Sequence, residues 1–487
     1  MSKKIKALAL MLAVVIAITS MPISNVKAAS STQQKKINVN TSVTGKMTDS
    51  IDKIYYEFTV PTDGAFSVNV KRKDITDDQE YTLKLVDASG SIEYFSEGGE
   101  GNITIPYFGA KAGQKFYAVV ERGWNAAGKE FIIRVSHATS AAWENEPNDN
   151  QQTAKLMSVN KTYYGTIFEK DNGDFFAVKA PSNGYFVFNL THNDITQTGE
   201  YDLKVFDSAA AEVTSFSGQN GSSIKVGVKA GTLVYVKVDN DWGAKKQVYK
   251  LTPNFTASES FEAEPNNTAN VAKPIGFGQA YTGIVGNWSN DDADFYSFNV
   301  SAISQVSIFF GPVDIANKGD WKVEILNSKG KSADLMITDS GKTAKVKLAK
   351  GKYYIKISNS WGAKQKEYQL KVTSQNMKFK SKKPVIKSAS IKKYNGWASN
   401  RKFLGCSLAK TVAGADGYEV SVASTKKMRK PFVKEKLTGG KKLKTDKYFR
   451  SNSKYFYVQV RPYIKDPFGT YIYGKKSAAK KVATKAK

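Results

Sequence analysis

The sequence predicts an all-β chain of tandem antiparallel β-sandwiches, and three observations carry that expectation. Landmarks recur at a fixed spacing: Asp74-Ile75-Thr76, Asp194-Ile195-Thr196 and Asp314-Ile315-Ala316 lie 120 residues apart, while Trp124, Trp242 and Trp361 are separated by 118 and 119. Near the start of each repeat, apolar residues alternate with polar ones: Tyr56, Phe58, Val60, then Phe176, Val178, Ala180, then Tyr296, Phe298, Val300. A period of two puts those side chains on one face of a half-buried strand. Further short strand-like segments (Tyr81 to Val86, Tyr201 to Phe206, Trp321 to Leu326) are cut by turn signals such as Ala88-Ser89-Gly90, Ala230-Gly231 and Lys350-Gly351. No long amphipathic helical pattern interrupts them, so each repeat is expected to close as one sandwich.

Taken from its start, the chain opens with Lys3, Lys4 and Lys6, an apolar run from Ala7 to Met21, and the small-residue site Val26-Lys27-Ala28. This order of charge, apolar core and small residues predicts a secretory signal peptide over residues 1–28, hence an exported protein. No later run of about 18 apolar residues predicts a membrane span. The Lys-rich end carries no hydrophobic tail or sorting motif, so retention at a cell surface is expected to be non-covalent. The other 459 residues (487 minus 28) exceed one core and suggest several domains. Cys406 is the only cysteine, which excludes an intramolecular disulfide, and its strand-like neighbours mark it as a buried structural thiol.

Charge is concentrated at one end. The chain is formally +28, residues 1–28 carry four Lys and no acid, and residues 377–487 carry 30 Lys plus Arg against 5 acids, or +25. The residues between therefore sum to 28 minus 4 minus 25, or −1. The basic character belongs to a C-terminal module and favours polyanions: anionic cell-wall polymers, acidic polysaccharides or extracellular DNA. With no reading helix or nucleic-acid motif, sequence-specific nucleic-acid recognition is not expected.

The acidic residues are organised as well. Glu144 to Asp149 reads ENEPND and returns as EAEPNN at Glu262 to Asn267; a pair of aspartates three apart follows each, Asp171 and Asp174, then Asp291 and Asp294. Carboxylate and amide oxygens converging from a linker and a strand opening suit a hard cation such as calcium, which takes six to eight oxygen ligands. The alternative is a solvated acidic linker in which Asn148 or Asn266 forms a turn.

The EPN linkers, the Asp-x-x-Asp-aromatic strand openings and the closing Tyr249-Lys250-Leu251 and Tyr368-Gln369-Leu370 resemble the bacterial pre-peptidase C-terminal domains, relatives of clostridial collagen-binding domains. The resemblance covers residues 29–376, more weakly in the first repeat. It implies jelly-roll-like, non-catalytic modules and a calcium site formed by Glu144, Glu146, Asn148, Asp149, Asp171 and Asp174, with carbonyl help near Gly165 and Thr166. In the third repeat it implies Glu262, Glu264, Asn266, Asn267, Asp291 and Asp294, where Asn267 replaces the carboxylate of Asp149 and predicts weaker binding. The first repeat keeps Asp49 and Asp52 but no EPN linker, and no metal site is expected there. Residues 377–487 contain ADGYEVSVAS and YFYVQVRPYI, which resemble strands of fibronectin type III domains in surface proteins of Gram-positive bacteria and imply an immunoglobulin-like sandwich.

The expected organisation is thus a leader at 1–28, repeats at 29–140, 141–258 and 259–376, and a basic module at 377–487. Trp124, Trp242 and Trp361 each precede a small-residue turn, where they either stack on a ligand such as a sugar ring or fold over the sandwich edge. The stretches before them, AVVERGW, VKVDNDW and IKISNSW, are too polar to suggest collagen in particular. His137 and His192 stand outside any zinc-protease motif, and no nucleophile elbow or phosphate loop occurs. The resulting reading is a secreted, monomeric, non-catalytic calcium-binding adhesion protein for a cell-envelope polymer, polysaccharide or matrix protein. Its alternatives are an accessory subunit of a secreted hydrolase and an inert spacer.

Overall fold

A computed structural model describes residues 31–286, 293–316, 319–379, 382–393, 401–451 and 453–484. The expected leader lies outside them, as does Asp291. The described chain is all-β and forms two compact units, one of residues up to 146 together with 168–171, the other of 147–167 with 172–487. No helix among the described residues is long and apolar enough to cross a membrane.

The first unit contains strands β1 (Ser31–Lys36), β2 (Thr41–Lys46), β3 (Ile51–Thr59), β4 (Gly64–Arg72), β5 (Glu80–Asp87), β6 (Glu93–Glu100), β7 (Ile103–Ala110), β8 (Lys115–Arg122) and β9 (Glu130–Thr139). They form two sheets, ordered β1-β3-β8-β5-β6 and β2-β9-β4-β7. The alternating residues predicted from sequence, Tyr56, Phe58 and Val60, are buried between these sheets. Phe58 meets Phe66 of the opposite sheet edge to face at 4.8 Å, a contact worth about 1 kcal/mol beyond its area. Phe168 also enters this core, against Phe108 at 5.3 Å.

The same order recurs twice in the second unit. Strands Lys273–Pro274, Ala293–Val300, Gly351–Trp361, Asp320–Asn327 and Ser332–Thr338 make one sheet of the third repeat; Ala280–Ile284, Glu367–Asn376, Ser304–Pro312 and Lys342–Leu348 make the other. One feature departs from the antiparallel expectation. The first edge strand of every repeat pairs in parallel, β1 with β3, Lys155–Met157 with Asp174–Lys179, and Lys273–Pro274 with Ala293–Val300. A linker arriving beside a strand and crossing to the other sheet before returning produces this geometry, and a period-two pattern carries no information about strand direction.

The basic module is a second kind of sandwich. Ile386–Lys393, Arg401–Leu408 and Lys442–Lys444 form one sheet, and Val433–Thr438, Gly417–Ala423, Tyr455–Lys465 and Tyr471–Tyr473 form the other, with Lys480–Ala483 also pairing with Tyr455–Lys465. It seats on the third repeat: Phe468 stacks on Tyr353 at 6.2 Å, and Lys331 Nζ donates to the Phe468 carbonyl at 2.7 Å.

Cys406 is buried in the Arg401–Leu408 strand, and burial pushes its thiol up to about 11. Thiolate is the reactive form, so native protein at pH 8 should resist a thiol reagent that labels the denatured chain within minutes. Equal labelling rates in the two states would contradict this placement.

Candidate metal centre

In the third repeat the linker Glu262 to Asn267 runs between two sandwiches. Its backbone lies against the second repeat: Glu264 N donates to the Gly227 carbonyl at 3.4 Å, Lys229 Nζ to the Pro265 carbonyl at 3.2 Å, and Phe261 packs on Tyr185 at 4.9 Å. A side chain at Gly227 would strike the Glu262 carbonyl, so this close approach requires glycine. The acidic side chains turn the other way, into the third repeat. There Glu262 Oε1 accepts from Ile284 N, and Phe295 N donates to the Asn266 carbonyl at 2.9 Å.

This brings Glu262, Glu264 and Asp294 together. Each offers a carboxylate oxygen, all three lie within 4.8 Å of one another, and all three residues are buried. Two oxygens bound to one calcium ion at about 2.4 Å each are at most about 4.8 Å apart, so this spacing admits such an ion. Asn266 stands beside the cluster. It is fully buried, its Nδ2 donates to Glu262 Oε2 at 3.2 Å, and its Oδ1 has no hydrogen-bond partner. A buried amide oxygen without a donor is costly, and a cation satisfies it.

Two tyrosines complete the arrangement. Tyr296 and Tyr368 share a hydrogen bond of 2.7 Å, and Tyr368 donates its hydroxyl proton to Asp294 Oδ2 at 2.6 Å. Burial, reinforced by the neighbouring carboxylates, holds both phenols well above their usual range, so they remain donors. A side chain at Gly283 would meet the Tyr368 hydroxyl and the Glu262 carboxylate, which explains a glycine beside the cluster. Tyr249 makes the same 2.6 Å bond to Asp174 in the second repeat. Sequence reading assigned these tyrosines no role in the site. The available signal was internal: tyrosine stands at this place in the two repeats with an aspartate and Phe131 stands there in the first.

The other expected ligands divide as follows. Asn267 is half-buried, and its Oδ1 accepts from Asn266 N at 3.1 Å. In the second repeat Glu144, Glu146 and Asp171 fall in the first compact unit, while Asn148, Asp149, Gly165, Thr166 and Asp174 fall in the second. Glu144, Glu146, Asn148, Gly165, Thr166 and Asp174 are buried; Asp149 and Asp171 are half-buried. The expected equivalence of Asp49 and Asp52 to the aspartate pairs requires correction. Asp174 pairs with Val238 and Asp294 with Ile357, and the matching pair in the first repeat is Ile54 with Val120. A buried isoleucine therefore occupies the aspartate position, two residues beyond Asp52.

Trp124, Trp242 and Trp361 are 60, 69 and 76% exposed, which removes the edge-covering alternative. In the second and third repeats the pairing shifts register where the neighbouring strand meets the tryptophan, between Glu200 and Tyr201 and between Asp320 and Trp321. A bulge re-aims the next side chain. The following residue, Asn125, Gly243 or Gly362, has positive φ, and the alanine after it is buried. Each loop thus anchors its alanine and displays its tryptophan.

No protein-family model matches the chain, and no curated protein matches it. Among solved structures, the pre-peptidase C-terminal domain of a Bacillus anthracis collagenase is 19% identical, covering 21% of this chain and 94% of that one, with a TM-score of 0.18. A CBM22 tandem from Paenibacillus barcinonensis is 12% identical over 42% of this chain and 82% of that one, with a TM-score of 0.14. The FN1–FN3 domains of chicken CNTN1 are 10% identical over 64% of this chain and 98% of that one, with a TM-score of 0.19. At these values the chemistry must be read from the chain's own residues.

Three expectations follow from the cluster. Millimolar calcium should raise the melting temperature of the chelated protein, and Asp294→Asn or Glu262→Gln should lose the third repeat's share of that rise. Because calcium requires ionised carboxylates, the calcium-induced rise should also shrink as pH falls through the carboxylate range. Tyr368→Phe should weaken calcium binding at this site by about 10- to 100-fold, as loss of an outer-shell partner commonly does; unchanged affinity by calorimetry would show that the hydroxyl serves packing alone.

Proposed function

We propose that this chain is a secreted, non-catalytic adhesion protein whose repeats are stiffened by calcium and whose display surfaces bind a cell-envelope, matrix or polysaccharide ligand. The observation that carries the binding role is the threefold display of an exposed tryptophan on an equivalent loop. Soluble proteins tend to bury an indole, and its flat apolar face with one N–H donor suits stacking on a sugar ring. The exposed Ile75, Ile195 and Ile315 stand on turns at the same end of each repeat, just before the strand that pairs beside the tryptophan. Those turns are fixed by Asp74, Asp194 and Asp314, whose side chains each accept from a backbone N–H two residues on.

Calcium has a structural task in this reading. Held by Glu262, Glu264, Asn266 and Asp294, it ties a linker fastened to the second repeat to the core of the third. The second repeat carries residues of the same types, which would bind calcium likewise. The module boundaries follow the repeats, at 29–140, 141–258, 259–376 and 377–487. The basic module supplies attraction to anionic surfaces.

A glycan array and a cell-wall pull-down test the proposal. Changing Trp124, Trp242 and Trp361 to alanine together should abolish retention while leaving the melting temperature within a few degrees, since the rings are exposed. Full retention by the triple variant would overturn the tryptophan reading.

A further inference from the structure

Beyond general attraction to anionic surfaces, the basic module carries one face with an ordered set of cations and rings. It is the outward face of the sheet formed by Val433–Thr438, Gly417–Ala423, Tyr455–Lys465, Tyr471–Tyr473 and Lys480–Ala483. Glu419 lies opposite Lys436 on one neighbouring strand and opposite Arg461 on the other. Lys434 stands two residues along the same strand as Lys436, and Lys481 pairs opposite Tyr457 at the far edge. One carboxylate, Glu419, is buried beneath this row and contacts Arg461 at 3.2 Å and Lys434 at 3.7 Å. Three cations around one carboxylate leave the row net positive.

The cations are held in place by tyrosines. Arg461 Cζ lies 3.6 Å over the Tyr473 ring, Lys436 Nζ 3.7 Å over Tyr471 and Lys481 Nζ 3.9 Å over Tyr455. Tyr463, which covers Gly417, packs on Tyr471 at 5.0 Å. A cation resting on a ring keeps its charge while losing much of its side-chain freedom, so less entropy is lost when an anion binds. The roofed rings also disfavour one occupant: a nucleobase would have to displace the cations to stack. An anion-bearing chain that approaches edge-on, with hydroxyls to meet the tyrosine rims, needs no such displacement.

We infer that this face binds an acidic polysaccharide, with carboxylate or sulfate groups on Lys434, Lys436, Arg461 and Lys481 and sugar hydroxyls on the tyrosine rims. The inference rests on the adhesion reading but engages different residues from the tryptophan loops and the calcium cluster.

Calorimetric titration of the mature full chain with a heparin hexasaccharide and with polygalacturonate oligomers, in chelator to remove the calcium contribution, tests it. The triple variant Lys434→Ala, Lys436→Ala, Lys481→Ala should bind at least about tenfold more weakly at moderate salt, with an unchanged melting temperature. A control lacking the same charge on a loop of the same module, Lys426→Ala, Lys427→Ala, Lys430→Ala, should lose less than about threefold. Equal losses in the two variants would mean diffuse charge without a site and would overturn the inference, as would tighter binding of a thymidine oligonucleotide than of either glycan. Repeating the titration with the three exposed tryptophans changed to alanine separates the two readings. Glycan binding that persists there while wall retention is lost supports this face on its own; glycan binding lost there with the lysine variant unaffected overturns it.

Discussion

Three carboxylates cannot be enclosed together without a counter-charge, and that constraint organises the third repeat. Glu262, Glu264 and Asp294 are buried within 4.8 Å of one another. The two phenols beside them donate hydrogen bonds and the half-buried Lys273 attracts Glu262, but the desolvation of several anions costs far more than such contacts return. A divalent cation would offset that cost, and the unpartnered Asn266 oxygen is a further candidate ligand for it. Since the linker's backbone is fastened to Gly227 and Lys229 of the preceding sandwich, satisfying the carboxylates also joins two modules. The ion pair of Lys225 with Glu367 at 2.8 Å adds a second tie across the same joint.

One scaffold therefore supports two kinds of interior. Where Asp294 and Tyr368 meet in the third repeat, the first places Ile54 and Phe131, within a largely apolar core in which Phe131 meets Tyr56 edge to face at 6.2 Å. The coupled exchange of both partners has a physical reason. An aspartate against phenylalanine, or a tyrosine hydroxyl against isoleucine, would leave a buried polar group without its partner. By contrast the tryptophan loops persist in all three repeats, although Trp124 follows Arg-Gly and Trp242 follows Asn-Asp. What is preserved is the backbone device: a positive-φ residue, then a buried alanine.

Much of this was legible in sequence because repetition supplied its own controls. The 120-residue spacing and the period-two runs located the strands, and Tyr296, Phe298 and Val300 proved buried as the pattern requires. The EPN linker pointed to Glu262, Glu264 and Asn266 because their chemistry has few other uses. Legibility ended where geometry depends on partners distant in the chain. The Tyr368 hydroxyl meets Asp294 across 74 residues, and no local pattern announces it. The parallel edge strands were equally hidden, because side-chain alternation is the same for either strand direction. Asp49 and Asp52 misled for a related reason: their spacing matched, but strand register, which sequence does not display, puts Ile54 in the decisive position.

The most direct test is a crystal structure grown in calcium, with data collected for anomalous scattering. The account predicts a calcium peak bounded by oxygens of Glu262, Glu264, Asn266 and Asp294 at about 2.3–2.6 Å. Carboxylates that instead share protons around a cation-free centre, with calcium in excess, would contradict it.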